Sequence, residues 1–113
     1  MPDIDHELSF LLSLDGQEFQ LISGYVVKIE ARRVAATSYR PQGLKYSLTL
    51  HDLANHRVYG MDNAHGVRRQ TEYDHRHVHG ARKIVPYAYQ GAAELLADFY
   101  REVERILKER GVS

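Results

Sequence analysis

The chain contains no cysteine and no tryptophan, only three prolines in 113 residues, and no apolar run near the ~20 residues a membrane span needs. The missing cysteine excludes disulfides, thiolate metal sites and a cysteine nucleophile together. The opening MPDIDHELSF carries three acids and neither Lys nor Arg, the reverse of the basic start of a signal peptide. The expected compartment is the cytoplasm, with no membrane contact. Also lacking are GxGxxG, GxxxxGK[ST] and GxSxG, so nucleotide triphosphate hydrolysis and serine-based acyl transfer are disfavoured. What remains is 43% hydrophobic and 27% charged, the balance of a globular domain, and the length suits a single domain over residues 1–113.

Charge is balanced in total, 15 basic against 15 acidic residues, but not along the chain. Residues 1–24 hold five acids and no base, residues 25–83 hold eleven bases and five acids, and residues 84–113 hold four bases and five acids. Six of the seven histidines also fall in the middle segment, which gains positive charge below about pH 6.5. A phosphate-bearing partner suits such a segment, as does a plain solvated face neutralised by the N-terminal acids.

Periodicity separates the chain into two regimes. Asp15-Gly16 between apolar residues signals a hairpin, with a short strand at residues 8–14 and a returning one at 18–22. Tyr25, Val27, Ile29 and Ala31 alternate with charged or polar positions, and Leu44, Tyr46, Leu48 and Leu50 do so more clearly still. Residues 57–61 return antiparallel after the short HDLANH connection, because a parallel return needs a crossover of a dozen or more residues. Residues 62–75 read as a loop and 75–85 as one more strand. From residue 92 the apolar positions Leu95, Leu96, Phe99, Val103, Ile106 and Leu107 follow helical spacing to about residue 109. The expected fold is α+β: an antiparallel meander of four to five strands covered on one face by a C-terminal amphipathic helix. With a single substantial helix, helix-turn-helix recognition is disfavoured. Open strand edges favour a homodimer slightly over a monomer.

Chemistry concentrates in MDNAHGVRRQTEYDHRHVHGARK, which packs four histidines, two aspartates, a tyrosine, four arginines and a lysine into residues 61–83. In YDHRHVH the residues His75, His77 and His79 sit at i, i+2 and i+4, sharing one face of an extended strand with Arg76 and Val78 on the other. Phosphodiester cleavage without metal needs a base, an acid and a cation for the phosphate. His75 and His77 suit the proton transfers, with Asp62 to orient an imidazole and His65 and Tyr73 as further catalytic candidates. Arg68, Arg69, Arg76, Arg82 and Lys83 suit RNA phosphates. A metal site from His75, His77 and Asp62, His65 or Asp74 has some geometric merit but lacks HExxH, zinc-finger or calcium-loop spacing, so no cofactor is assigned. Against these stand ordinary surface roles for His51 and His56, a mobile terminal position for His6, turn-capping roles for Asp62 and Asn63, and anchoring roles for Tyr87 and Tyr89 between strand and helix.

The order of these features resembles the TumE family of small toxin proteins from prokaryotic toxin-antitoxin loci. Strand-like YVVKIEARRVAA and GLKYSLTLHDLANHRVYGMDNAH lead into the Asp62-Asn63-Ala64-His65 segment, then into the His-rich YDHRHVH and a C-terminal helical pattern, over residues 20–107. The histidines alternate here where many members carry adjacent ones. The resemblance implies a growth-inhibiting toxin with a cognate antitoxin as partner. RNA cleavage is the commonest activity of toxins this small, and the expected action is cleaving or binding RNA through the His/Arg-rich loop. A non-enzymatic nucleic-acid or protein-binding module and a metal-dependent hydrolase are the alternatives.

Overall fold

The computed structural model describes residues 2–36, 43–63, 74–78 and 83–112, with backbone alone at 2–5, 74–78 and 83–86. Two helices and six strands run in the order α1 (Pro2–Ser13), β1 (Gln17–Gln20), β2 (Val26–Arg33), β3 (Leu44–His51), β4 (Arg57–Asp62), β5 (Asp74–Val78), β6 (Lys83–Tyr87) and α2 (Ala92–Glu109). The strands form one sheet in sequence order, every neighbouring pair antiparallel. This is the expected meander, extended to six strands because residues 75–85 fall in two strands.

Alternation decides which face of the sheet is covered. Val27, Ile29 and Ala31 of β2, Leu44, Tyr46, Leu48 and Leu50 of β3, and Tyr59 and Met61 of β4 are buried. They meet in register, Ile29 with Leu48 and Leu48 with Met61, so one apolar face runs across three strands. Helix α2 buries Leu95, Phe99, Val103 and Leu107, one residue per turn, against that face. Phe99 stacks on Tyr59 with ring centroids 5.8 Å apart and meets Tyr100 edge-on at 5.4 Å. The Tyr87 hydroxyl donates to Asp98 at 2.6 Å, tying β6 to α2, and the Tyr89 ring lies 5.9 Å from that of Tyr46. The expected anchoring role of these two tyrosines is thus met. The other face of the sheet presents Lys28, Glu30, Arg32, Lys45, Ser47, Thr49 and Asp62, and no described helix packs on it.

The first hairpin is a correction. Residues 2–13 form α1, and Asp15-Gly16 joins a helix to a strand. In LSFLLSL, Leu8, Phe10, Leu12 and Leu14 match period two, while Leu8, Leu11 and Leu12 match period 3.6. Burial follows the second pattern, with Leu11 fully buried and Phe10 59% exposed. Gly16 supplies the left-handed turn at φ 81°, its N–H donates to the Ile29 carbonyl at 2.8 Å, and the Asp15 carboxylate accepts the Ala31 N–H at 2.9 Å. The dipeptide does turn the chain, but it secures β2 instead of closing a hairpin. Helix α1 packs beside α2 on the covered face, and the Glu7 carboxylate accepts the Ala93 N–H at 3.4 Å, near an N-cap, Gly91, that has no side chain to offer. The expected loop at 62–75 lies largely outside the described residues.

Candidate functional site

The Asp62-Asn63 pair closes β4 in an unusual way. Asn63 is fully buried although polar. Its Oδ1 accepts the Tyr46 N–H at 3.0 Å and its Nδ2 donates to the Leu44 carbonyl at 2.5 Å. The side chain thus substitutes for a peptide unit and continues the β3–β4 ladder one residue past its end. Asp62, immediately before it, is held opposite Ser47 on the uncovered face. The capping role expected of this pair is carried by Asn63, with a strand end as its object.

Strand β5 then brings the histidine segment alongside. Asp62 pairs with His75, Met61 with Arg76 and Gly60 with His77. Met61 points into the core, so strand alternation gives positions 75 and 77 the phase of Asp62 and Gly60, and position 76 the phase of the covered face. Neighbouring strands lie about 4.8 Å apart, so Asp62, His75 and His77 occupy adjacent backbone positions around one corner of the open face. Lys83 pairs with Val78 on the far side of β5. His65, Arg68, Arg69, Tyr73, His79 and Arg82 lie outside the described residues. Beside Asp62 a depression of about 190 Å³ is lined by Glu30, Arg32, Lys45, Tyr46 and Ser47. It is smaller than the ~300 Å³ at which ligand pockets begin, and its polar rim suits a chain laid across the sheet better than an enclosed small molecule.

A carboxylate next to one of two histidines can fix the tautomer of the first, and two imidazoles can share the giving and taking of a proton near neutrality. The register sets residues of these types at neighbouring backbone positions. The family model described as Toxin TumE matches residues 9–107, from α1 through nearly all of α2. The chain belongs to the TumE toxin family. No curated protein and no solved structure matches it. As a TumE-family toxin the chain is the toxin component of a toxin-antitoxin system, and its partner is an antitoxin. No helix among the described residues is long and apolar enough to cross a membrane.

The TumE-family fold also exposes residues that sequence reasoning passed over. His51 is half-buried, and its Nε2 lies 3.0 Å from the Thr49 hydroxyl on the same face. Burial, then the nearby Lys28 and Arg57 cations, push its pKa below the ordinary 6.5, against the Asn55 carbonyl and Asp52. It is therefore more than the ordinary surface residue expected. His56 does keep to the surface, 3.4 Å from the Asp52 carboxylate. The signal for His51 was present in the sequence, since Lys45, Ser47, Thr49 and His51 continue one alternating phase. Arg57 was hidden for a different reason. Leu50 pairs with Tyr59 but His51 pairs with Arg57, leaving Val58 as the extra residue of a β-bulge. Unbroken alternation would assign Arg57 to the covered face with Tyr59 and Met61. Instead its Cδ lies 3.7 Å from where a Cβ on Gly60 would stand, beside the Thr49 methyl at 3.2 Å.

Proposed function

We propose that this TumE-family toxin inhibits growth by cleaving single-stranded RNA on the open face of its sheet, in the cytoplasm. The observation that carries the reading is the register of β4 and β5, which sets Asp62 opposite His75 and His77 two residues on in the same phase. In the proposed reaction one imidazole takes the proton from a ribose 2′-hydroxyl, whose oxygen attacks the adjacent phosphorus. The other, protonated, gives its proton to the departing 5′ oxygen. Asp62 orients the His75 ring and stabilises its charged form. Arg68, Arg69 and Arg82 supply cations for the phosphate, a role for which Arg76 and Lys83 are less well placed because their positions take the other phase of β5 and β6. His65 and Tyr73 are assigned to contacts with the RNA base or sugar. The antitoxin partner covers the basic face and blocks phosphate access, which complementary charge would favour.

The test joins cells to chemistry. Expression of the intact chain should arrest growth, co-expression of the neighbouring gene product should relieve the arrest, and the purified protein should cleave a defined single-stranded RNA with chelator present. Cleavage lost only on chelation would transfer the chemistry to a metal held by the same residues. Growth arrest by a folded protein that cleaves no RNA would refute the reaction and leave the toxin assignment standing.

A further inference from the structure

The open face carries a second group of cations away from the histidine strand. Lys28 of β2 stands opposite Thr49 of β3, which stands opposite Gly60 of β4, which stands opposite position 77 of β5. These four positions form one row across the sheet. Gly60 leaves a gap in it that the Arg57 side chain crosses, having been turned onto this face by the bulge at Val58. The row therefore reads, from β5 outward, His77, Arg57 over Gly60, Thr49 and Lys28. Lys28 lies three strand spacings, roughly 14 Å, from position 77.

Lys28 is held but not neutralised, and Arg57 enters no ion pair among the described residues. Lys28 Nζ donates to the Asn55 side-chain oxygen at 3.3 Å, a neutral partner. Asn55 sits at φ 65° in a turn that Asp52 fastens by accepting the Ala54 and His56 N–H groups at 3.0 and 2.8 Å. Asp52 is thereby committed to its own turn, and its pKa is lowered first by the His56 N–H. Ion pairs among the described residues join Asp52 to His56, Asp98 to Arg101, and Arg105 to Glu102 and Glu109, and none includes Lys28 or Arg57. Glu18 stands opposite Lys28 in register without an ion pair. Lys28 and Arg57 both face His51 closely enough to add to burial, the larger cause, in lowering its pKa.

We infer that Lys28 and Arg57 form a second phosphate position, which holds the backbone of a single-stranded RNA as it crosses the sheet away from the reacting phosphate at His75 and His77. This rests on the RNA reading above and adds the direction of the strand, across β4, β3 and β2. Two cations on the strands either side of β3, one set by a bulge and one by a turn, lose little freedom on binding, and phosphate contacts of this kind fix register without reading sequence. The His51 ring is neutral near pH 7 and adds no charge, but it senses whether the cations beside it have been offset.

The test uses the full chain and a single-stranded 2′-O-methyl oligoribonucleotide, which lacks the attacking hydroxyl. Lys28→Gln and Arg57→Gln should each weaken binding roughly tenfold and reduce the slope of log affinity against log salt by about 1. In the unaltered protein, NMR titration of the His51 ring should show its pKa rising when the oligonucleotide binds, a readout independent of any variant's folding. Binding by the unaltered protein with affinity, salt slope and His51 titration all unmoved would overturn the second phosphate position and leave the RNA reading intact. No binding at all would overturn both. Retained RNA affinity with lost antitoxin capture in the Lys28 or Arg57 variants would make the row a protein interface and refute the inference.

Discussion

Asn63 illustrates how a residue can look chemical and act structurally. It stands inside the Asp-Asn-Ala-His segment, yet both ends of its amide are spent on the Leu44 and Tyr46 backbone groups. Asn63→Ala would leave a buried N–H and a buried carbonyl without partners, at about 1–3 kcal/mol each. Denaturant melts should show a loss of about 2 kcal/mol or more, and a loss below about 0.5 kcal/mol would contradict the role assigned to the amide. His51 makes a pH prediction. Its folded pKa lies below 6.5, so the unfolded chain binds the proton more readily, and stability rises with pH in this window. The contribution is complete above 6.5 and is lost as pH falls through the folded pKa. Melts of His51→Gln and the unaltered protein between about pH 7 and 5 should converge towards acid. A variant with the larger acid loss would contradict this. The sequence showed a capping role for Asn63 and the strand phase of His51, but not the partners that give each its role, which are remote in sequence or turned onto the face by a bulge.

At the scale of elements, the β2–β3–β4 meander and α2 were legible because burial there is one-sided and periodicity unmixed. Helix α1 was not, because LSFLLSL satisfies two periods at once and Asp15-Gly16 suits either a hairpin or a helix exit. Only the sheet, by offering a place for Leu11 and none for Phe10, decides between them. Leu11→Ala should therefore cost about 2–5 kcal/mol, while Phe10→Ala should stay within about 1 kcal/mol. The reverse order in chemical denaturation would restore the strand. On α2, Phe99 is fully buried between Tyr59 and Tyr100, and Phe99→Ala should cost about 3–5 kcal/mol. A cost below about 1 kcal/mol would place α2 off the sheet. The pairing of β5 with β4 was beyond sequence reasoning, since nothing local fixes where a strand returns after a connection of eleven residues, 63–73.

Over the whole molecule the segregated charge becomes a difference between faces. The acids of residues 1–24 fall mostly on or beside α1, while on the uncovered side Lys28, Arg32, Lys45 and Arg57 stand with Glu18, Glu30 and Asp62. A fold that spends two helices on one face leaves the other for a partner, and in a toxin that partner is a cellular target or the antitoxin. In the proposed reading the two compete for the same cations, which would give a physical basis for neutralisation without any change in the toxin's fold. The candidate residues on β4 and β5 were legible as a cluster of suitable chemistry. Their arrangement was not, because it depends on a register between strands.

The central claim is that this register builds a reaction site, and the comparison of His77→Ala with the unaltered protein tests it most directly. Single-turnover cleavage of a defined single-stranded RNA should fall by about 10² to 10⁴ in the variant, while RNA affinity, measured in parallel, changes far less. Full cleavage retained by His77→Ala, and by the combined His75→Ala, His77→Ala protein, would contradict the account.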